Sequence, residues 1–375
     1  MKSTKIDYLN GLKGIACLIV ACNHFAGAFL SDSQSDWKSF PFAILFNGTF
    51  MISVFFLLSS FFVAFSFLKK GSSEKLGQSL FLRSMRLVFP IFFVSLFIWV
   101  FMNLGFYSVY EPTKELLHTT RKDADAMNYY TVYPIQDVLI NSIKVIWVSS
   151  TKFTFVLWMI EWLYKGCFVA AIMALIFNRL KTLPAFITIF AADLVLKYYV
   201  GSRYRVFAWG VFLAYLFLRK QEWFHSKAAK VLSIPALVVA FWFGNYYPNV
   251  EMNGIYAPLR FFTSEDLFLC AAVLLVLSIF SLQSLQILLS TRTMRFLGDI
   301  SFAIYLVHDP IEIIVGGKVF LLLYDISGNI QLSIFAAFLI SLIFILGAAY
   351  LFHRYIEPLC QKASSWIAEH CLILA

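Results

Sequence analysis

Long runs of apolar residues, broken by short polar segments, dominate the chain from end to end. A helix that crosses a bilayer needs about 20 predominantly apolar residues. Runs near that length cover residues 11–30, 41–68, 87–109, 155–177, 183–200, 204–218, 231–247, 267–289, 300–322 and 331–352. Only Gly201-Ser202-Arg203 separates the fifth run from the sixth. The pattern predicts an all-α polytopic membrane bundle of about ten transmembrane helices.

The distribution of lysine and arginine predicts the orientation of the bundle. With a cytoplasmic N-terminus, basic residues favour the inner connecting segments by about two to one. Inner examples are Lys2, Lys5, Lys69, Lys70 and Lys230. Ten spans would return the chain to its starting side, so both termini are predicted to be cytoplasmic.

Composition agrees with a multi-pass membrane protein. The 375 residues are 61% hydrophobic and 14% charged. Soluble domains of this size contain fewer hydrophobic and more charged residues. The net charge of +9 could suit nucleic acid, but it lies in the short connections where it sets topology. We expect one membrane-embedded domain over residues 1–375 with no fused soluble domain and no nucleic-acid partner.

Six cysteines show neither a CxxC motif nor a metal-like grouping with histidine, so we expect no metal site and no disulfide framework. They lie at positions 17, 22, 167, 270, 360 and 371.

Some segments allow more than one reading. Lys2 and Lys5, followed by an apolar run and the small residues 26–28, could form a cleaved signal peptide. An ordinary first membrane helix has the same features and is favoured here. Of the two long outer segments, residues 110–154 contain a stretch at 135–140 that could lie flat at the interface as an amphipathic helix. Residues 245–266 are rich in Asn, Tyr and Pro. The latter composition suits sugar contacts as well as an interfacial aromatic belt.

His24 is the most informative candidate, because it lies inside an apolar span eleven positions after Lys13. Intramembrane ionisable groups usually line a substrate path, a proton relay or a polar interior. Eleven residues make three helical turns, so both side chains share one face about 16 Å apart. Neutral imidazole can act as a general base near pH 7. A histidine hydrogen-bonded between helices is the alternative.

Arg83 and Arg86 are three residues apart at the predicted start of the third helix, so they point to one side. Their guanidinium groups could bind phosphates bidentately. Anchoring by the positive-inside rule is an equal alternative for this pair, and it explains Lys69 and Lys70 completely.

Glu161 lies in the fourth span within Leu157–Trp162. Its carboxylate could orient an imidazole or a substrate hydroxyl. It could equally pair with Lys165 one turn further on.

His308 is a second intramembrane histidine, and Pro310 is expected to kink its helix and to free backbone carbonyls. A polar cavity shared with His24 is one interpretation. A packing or pH-sensing role is another.

Several segments, in order along residues 6–360, resemble the acyltransferase-3 family of integral membrane acyltransferases. The family opens with Leu-Asp-Gly-Leu-Arg-Gly and a histidine eleven positions after the arginine, and residues 9–14 with His24 follow that form. The other similar segments are residues 54–62, the Arg83–Pro90 entry to the third helix, Leu297–His308 and Arg354–Pro358.

Three positions depart from the family pattern. Lys13 stands where the family has arginine, Asn10 where it has aspartate, and Ser60 where it has glycine. Lysine keeps the positive charge but lacks the planar guanidinium group that binds a phosphate or carboxylate through two hydrogen bonds. The loss of aspartate and arginine together suggests a pair replaced as a unit.

The resemblance implies transfer of an acyl group, commonly acetyl from acetyl-CoA, to a hydroxyl of a surface polysaccharide or its lipid-linked precursor. No bound cofactor is expected; acetyl-CoA or another acyl-CoA is the donor substrate. The location that the resemblance implies is the cell membrane, which we expect to be a bacterial plasma membrane. His24 would be the general base, Glu161 a second catalytic residue, and Lys13, Arg83 and Arg86 the acyl-CoA ligands. Candidates for stabilising the oxyanion or lining the cavity are Ser59, Ser60, Tyr305 and His308.

Two other functions fit the same polar interior. A transporter or flippase for a glycan intermediate would use the cavity without acyl chemistry. A structural partner in the glycan-synthesis machinery would not need His24. The chain also carries no GxxxxGK[ST] nucleotide motif, so ATP-driven transport is not expected.

Overall fold

The computed structural model describes residues 6–30, 38–70, 73–118, 131, 133–247 and 254–371. Lys2 and Lys5, much of the acidic outer segment at 119–130, and Pro248-Asn249 lie outside these residues, as does the side chain of Cys371. Within the described ranges the chain is helical without β-strands, which confirms the all-α prediction.

Seventeen α-helices are seen in the described residues. They are α1 Asp7–Phe29, α2 Gly48–Lys70, α3 Ser73–Asn103, α4 Tyr110–Leu117, α5 Gln136–Lys144, α6 Trp158–Arg179, α7 Thr182–Val195, α8 Arg205–Arg219, α9 Gln221–His225, α10 Lys227–Gly244, α11 Ser264–Ser281, α12 Gln283–Leu289, α13 Arg292–Asp299, α14 Ser301–Ile311, α15 Gly317–Ser327, α16 Ile330–Leu351 and α17 Glu357–Cys371. Turns of π-helix, at Leu196–Val200, Glu312–Gly316 and Phe352–Ile356, follow α7, α14 and α16. Helix α5 includes most of the stretch for which an amphipathic helix was predicted.

In the described parts of the chain, eight helical segments are long and apolar enough to cross a membrane. They are Asp7–Phe29, Gly48–Lys69, Leu76–Asn103, Phe155–Arg179, Thr182–Val200, Lys227–Gly244, Ser264–Ser281 and Ile330–His370. Two predicted spans differ: run 204–218 forms the 15-residue α8, and run 300–322 contains Asp309, Glu312 and a π turn. The count of ten and the cytoplasmic termini stay predictions.

The chain divides into two compact units, each assembled from separated segments. The first unit comprises Met1–Val20, Trp37–Leu80 and Lys165–Asp299; the second comprises Ala21–Asp36, Phe81–Tyr164 and Ile300–Ala375. The boundaries fall inside α1, α3 and α6. The single-domain assignment made from the sequence stays a prediction.

In the first unit α2 packs along α8, and α11 packs on both α10 and α2. A small residue permits the closest approach, because a Cβ added at Gly210 of α8 would collide with Ser60 and Leu57 of α2. Membrane helices use small residues in this way, since close backbone contact replaces the hydrophobic driving force available in water. Ser60, which stands in the position of the family glycine, donates its hydroxyl to the Leu57 carbonyl at 2.9 Å.

In the second unit α14, α15 and α16 pack together beside the end of α1. An aromatic cluster of Phe25, Phe29, Phe320 and Phe338 fills their contact. Helix α15 ends at Ser327 and is followed by Gly328, whose φ of 64° is left-handed. Asn329 then caps α16 by accepting from the Leu332 amide at 3.0 Å. Phe25 and Phe338 of this cluster also line a small cavity beside Glu312.

Candidate active site

Two histidines lie side by side in the second unit. The rings of His24 on α1 and His308 on α14 are stacked, with centroids 5.2 Å apart and planes 29° from parallel. Phe155 meets the His24 ring edge-on at 4.8 Å. His308 is fully buried and His24 is half-buried. The two histidines predicted to share a polar cavity are therefore in contact.

The backbone around His308 defines which of its nitrogens carries hydrogen. Its Nδ1 lies 3.1 Å from the carbonyl oxygen of Ile304, one turn earlier in the same helix. A carbonyl only accepts hydrogen bonds, so Nδ1 must be the donor. In the neutral ring the lone pair is then on Nε2, which is the nitrogen that can accept a proton.

Two buried carboxyl groups accompany His308 on its helix. Asp309 and Glu312 are each about 1% exposed, an uncommon environment for ionisable groups. The Thr154 hydroxyl donates to Asp309 Oδ2 at 2.8 Å, and this hydroxyl is itself buried. Such groups in a membrane protein usually mark a functional interior. Sequence reasoning did not select Asp309 or Glu312, although both lie within four residues of His308.

Glu312 also borders a small cavity of about 10 Å³ in the second unit, with Cys22 and Ser341 on its other sides. That volume matches a single water molecule. The π turn at Glu312–Gly316 begins at this carboxylate, and turns of this kind often occur at functional sites. Pro310 lies inside α14 two residues earlier, where the sequence predicted a distortion.

Tyr305 and Ser60 already donate their hydroxyl protons to main-chain carbonyls. The Tyr305 hydroxyl bonds to Val156 in the second unit, and Ser60 bonds within α2 in the first. Each hydroxyl has only one proton to donate. Its hydrogen bond to the main-chain carbonyl would therefore have to break before the hydroxyl could donate to an oxyanion. Ser59 is also buried on α2.

Glu161 lies in the first turn of α6 and accepts the Ser149 amide at 2.6 Å through Oε2. This bond holds the segment before α6 against the helix. Its catalytic role stays a prediction.

The predicted acyl-CoA ligands occupy two helices. Lys13 is half-buried on α1 in the first unit; in the second, Arg83 is half-buried and Arg86 exposed on α3. Helix α3 begins at Ser73, so the two arginines lie within the helix rather than at its start. Residues 73–86 contain no proline and several good helix formers, which explains the earlier start. Over the described residues no group of three side chains suited to a metal ion is found.

The two glycines of the opening motif bring α1 close to the segment 289–299. A Cβ added at Gly14 would lie 2.5 Å from the Gly298 amide nitrogen, and one at Gly11 would collide with the Leu289 carbonyl. Asn10 on the same helix donates to Asp299 Oδ1 at 2.8 Å. An amide can donate to this carboxylate, whereas an aspartate at position 10 would repel it. This contact gives a reason for asparagine at position 10 that does not depend on the joint replacement of aspartate and arginine suggested from the sequence.

Asn10→Asp is expected to lower the stability of the first unit by about 1 kcal/mol, because it replaces a charge-assisted hydrogen bond by like-charge repulsion at a partly solvated site. Thermal unfolding in detergent measures the loss. Adding Asp299→Asn should restore most of the stability, since the donor and the acceptor are then exchanged. Simple addition of the two single effects would contradict the contact.

These features define a class: an all-α membrane protein whose apolar interior holds a stacked histidine pair and buried carboxyl groups. The chain belongs to the acyltransferase-3 family, whose acyltransferase domain matches residues 6–354, nearly the whole sequence. The resemblance found from the motifs is thus confirmed, and the protein is a membrane acyltransferase. Comparisons with curated proteins and with solved structures give no match.

Proposed function

We propose that the protein transfers an acyl group, most simply acetyl, from acyl-CoA to a hydroxyl of a cell-surface polysaccharide or its lipid-linked precursor. The family supports an acyl donor and an acceptor. The observation that carries the chemical proposal is the stacking of His24 on His308 inside an apolar unit. An imidazole held there can exchange a proton with little competition from bulk water.

In the proposed reaction His24 removes the acceptor hydroxyl proton as the oxygen attacks the thioester carbonyl. A carbon–oxygen bond forms, the carbon–sulfur bond breaks, and the departing CoA sulfur takes the proton back from His24. The O-acyl product and free CoA thus balance the reaction without an oxidant or a reductant. His308 supports the cycle as a positioning residue, because its ring stacks on His24 and helps to hold that imidazole in place.

The proposed donor is long and anionic at one end. We assign its phosphates to Arg83 and Arg86, whose guanidinium groups suit bidentate contacts, and we give Lys13 a separate single-point contact. Glu161 and the oxyanion candidates Ser59, Ser60, Tyr305 and His308 keep their proposed roles. Tyr305 and Ser60 would act only after releasing their carbonyl partners.

Binding of radiolabelled acetyl-CoA to protein in nanodiscs tests the donor assignment. Arg83→Ala is expected to weaken binding by about tenfold, as the loss of a charge-assisted bond of about 1.5 kcal/mol implies. Lys13→Ala is expected to weaken it less. Lys230→Ala serves as the control, because this exposed lysine is also predicted to be on the inner side.

Failure of the stable wild-type protein to bind any acyl-CoA would overturn the proposal and favour glycan transport without acyl chemistry. Equal weakening by Lys230→Ala would show a general charge effect rather than a phosphate site.

A further inference from the structure

The first unit contains a cavity of about 470 Å³ among α7, α8, α10 and α11. One end is charged and the rest is apolar. The charged end is formed by Asp193, Lys197, Arg205 and Asp266. A cavity of this kind suits an amphipathic molecule.

Ion pairs organise the charged end. Arg205 donates to both oxygens of Asp193 at 2.9 Å and to Asp266 Oδ1 at 2.5 Å. Lys197 donates to both oxygens of Asp266 at 2.9 and 3.0 Å. Two cations and two carboxylates therefore meet with no net charge. Trp209 Nε1 adds a bond to Asp193 at 2.8 Å.

This cluster lies at helix ends. Asp193 is in the last turn of α7, Arg205 opens α8, and Asp266 is in the first turn of α11, where it forms a capping box with Thr263. The spans Thr182–Val200 and Ser264–Ser281 end and begin at this level. Charged groups at the ends of membrane-spanning helices lie at the depth of lipid headgroups.

The apolar part of the cavity runs down one face of α11. Asp266, Cys270, Val273 and Leu274 follow the helical repeat, so they form a stripe about 12 Å long from charged head to apolar end. Cys270 is exposed, as is Phe190 on the opposite wall. The groove is thus open along the stripe, where an acyl chain can lie.

We infer that this groove is a binding site for a zwitterionic phospholipid. The phosphate of the headgroup would lie toward Lys197, whose side chain is 28% exposed. The ammonium group would lie toward Asp193 and Asp266. A headgroup with both signs of charge complements a cluster with both signs. An anionic headgroup could also place its phosphate toward Lys197, but it has no ammonium group to meet Asp193 and Asp266. One acyl chain covers the stripe through Cys270 to Leu274.

The test is native mass spectrometry of the purified full chain with added lipid. Cys270→Trp fills the groove below the charged end without removing an ion pair, and Leu194→Trp is the matched control on the 57%-exposed lipid-facing surface of α7. Phosphatidylethanolamine, phosphatidylcholine and phosphatidylglycerol are compared at equal concentration. Thermal unfolding verifies that both variants fold.

Wild type and Leu194→Trp are expected to retain phosphatidylethanolamine about tenfold better than phosphatidylglycerol, and Cys270→Trp is expected to lose that preference. If phosphatidylcholine is retained equally, the positive charge suffices; if it is not, the N–H bonds to the carboxylates are required. Both results support the site. Equal retention of phosphatidylglycerol by wild type, or an unchanged preference in a folded Cys270→Trp variant, would overturn it.

Discussion

His24→Ala is expected to lower acyl transfer by at least about a hundredfold, because a positioned general base contributes roughly 10²–10⁴-fold to the rate. Acyl-CoA binding should change little, since the proposed donor contacts are made by other residues. Turnover of acetyl-CoA with a hydroxyl acceptor, measured beside equilibrium binding of acetyl-CoA, separates the two effects. The loss is expected in kcat rather than in KM.

The matched control is His225→Ala, which removes an exposed imidazole of the first unit. It should leave turnover unchanged. A His24→Ala protein that is folded, binds acyl-CoA and retains full turnover would exclude His24 as the base. A protein that loses binding and turnover together would assign His24 to donor binding instead.

Gly14→Ala is expected to disrupt the packing of α1 against the segment 289–299. Its Cβ would lie 2.5 Å from the Gly298 nitrogen and from the Leu297 carbonyl carbon, and backbone atoms cannot rotate away. Helix α1 must therefore shift from the segment 289–299. Overpacking of this kind costs about 1–3 kcal/mol. A lower unfolding temperature in detergent should report it.

The control is on the same helix. A Cβ at Gly27 has no heavy atom within 4 Å, so Gly27→Ala meets open space. It is expected to be neutral or to stabilise the protein by up to about 1 kcal/mol through the helix propensity of alanine. Equal unfolding temperatures for the two variants would show that the close approach at Gly14 does not limit stability.

The long apolar runs predicted the helical class well, because a helix satisfies its own backbone hydrogen bonds in an apolar setting. Helix boundaries were less predictable. Helix α3 begins at Ser73 although its apolar run begins near residue 87, since favourable helix propensity carries the helix through a basic segment. The π turn after α14 has no comparable signature in the apolar pattern.

The candidate site was predictable in part. Intramembrane position alone identified His24 and His308, which the structure brings into contact. The bond from Thr154 to Asp309 joins residues 155 positions apart, and no local pattern predicts such a pair. Asn10 was treated as a weakened motif residue, and its partner Asp299 became apparent only when α1 and α13 were placed together.

The Asn10–Asp299 bond also has an evolutionary consequence. Positions 10 and 299 share one hydrogen bond, so a substitution at one restricts the residues that the other can accept. Acidic residues at both positions would repel each other, and amides at both would weaken the attraction. Among relatives of this chain, an aspartate at position 10 should therefore be accompanied by a neutral or basic residue at position 299, and an acidic residue at 299 by a donor at 10. The opening motif and the motif before His308 would then be inherited as a matched set, each limiting which substitutions the other can accept.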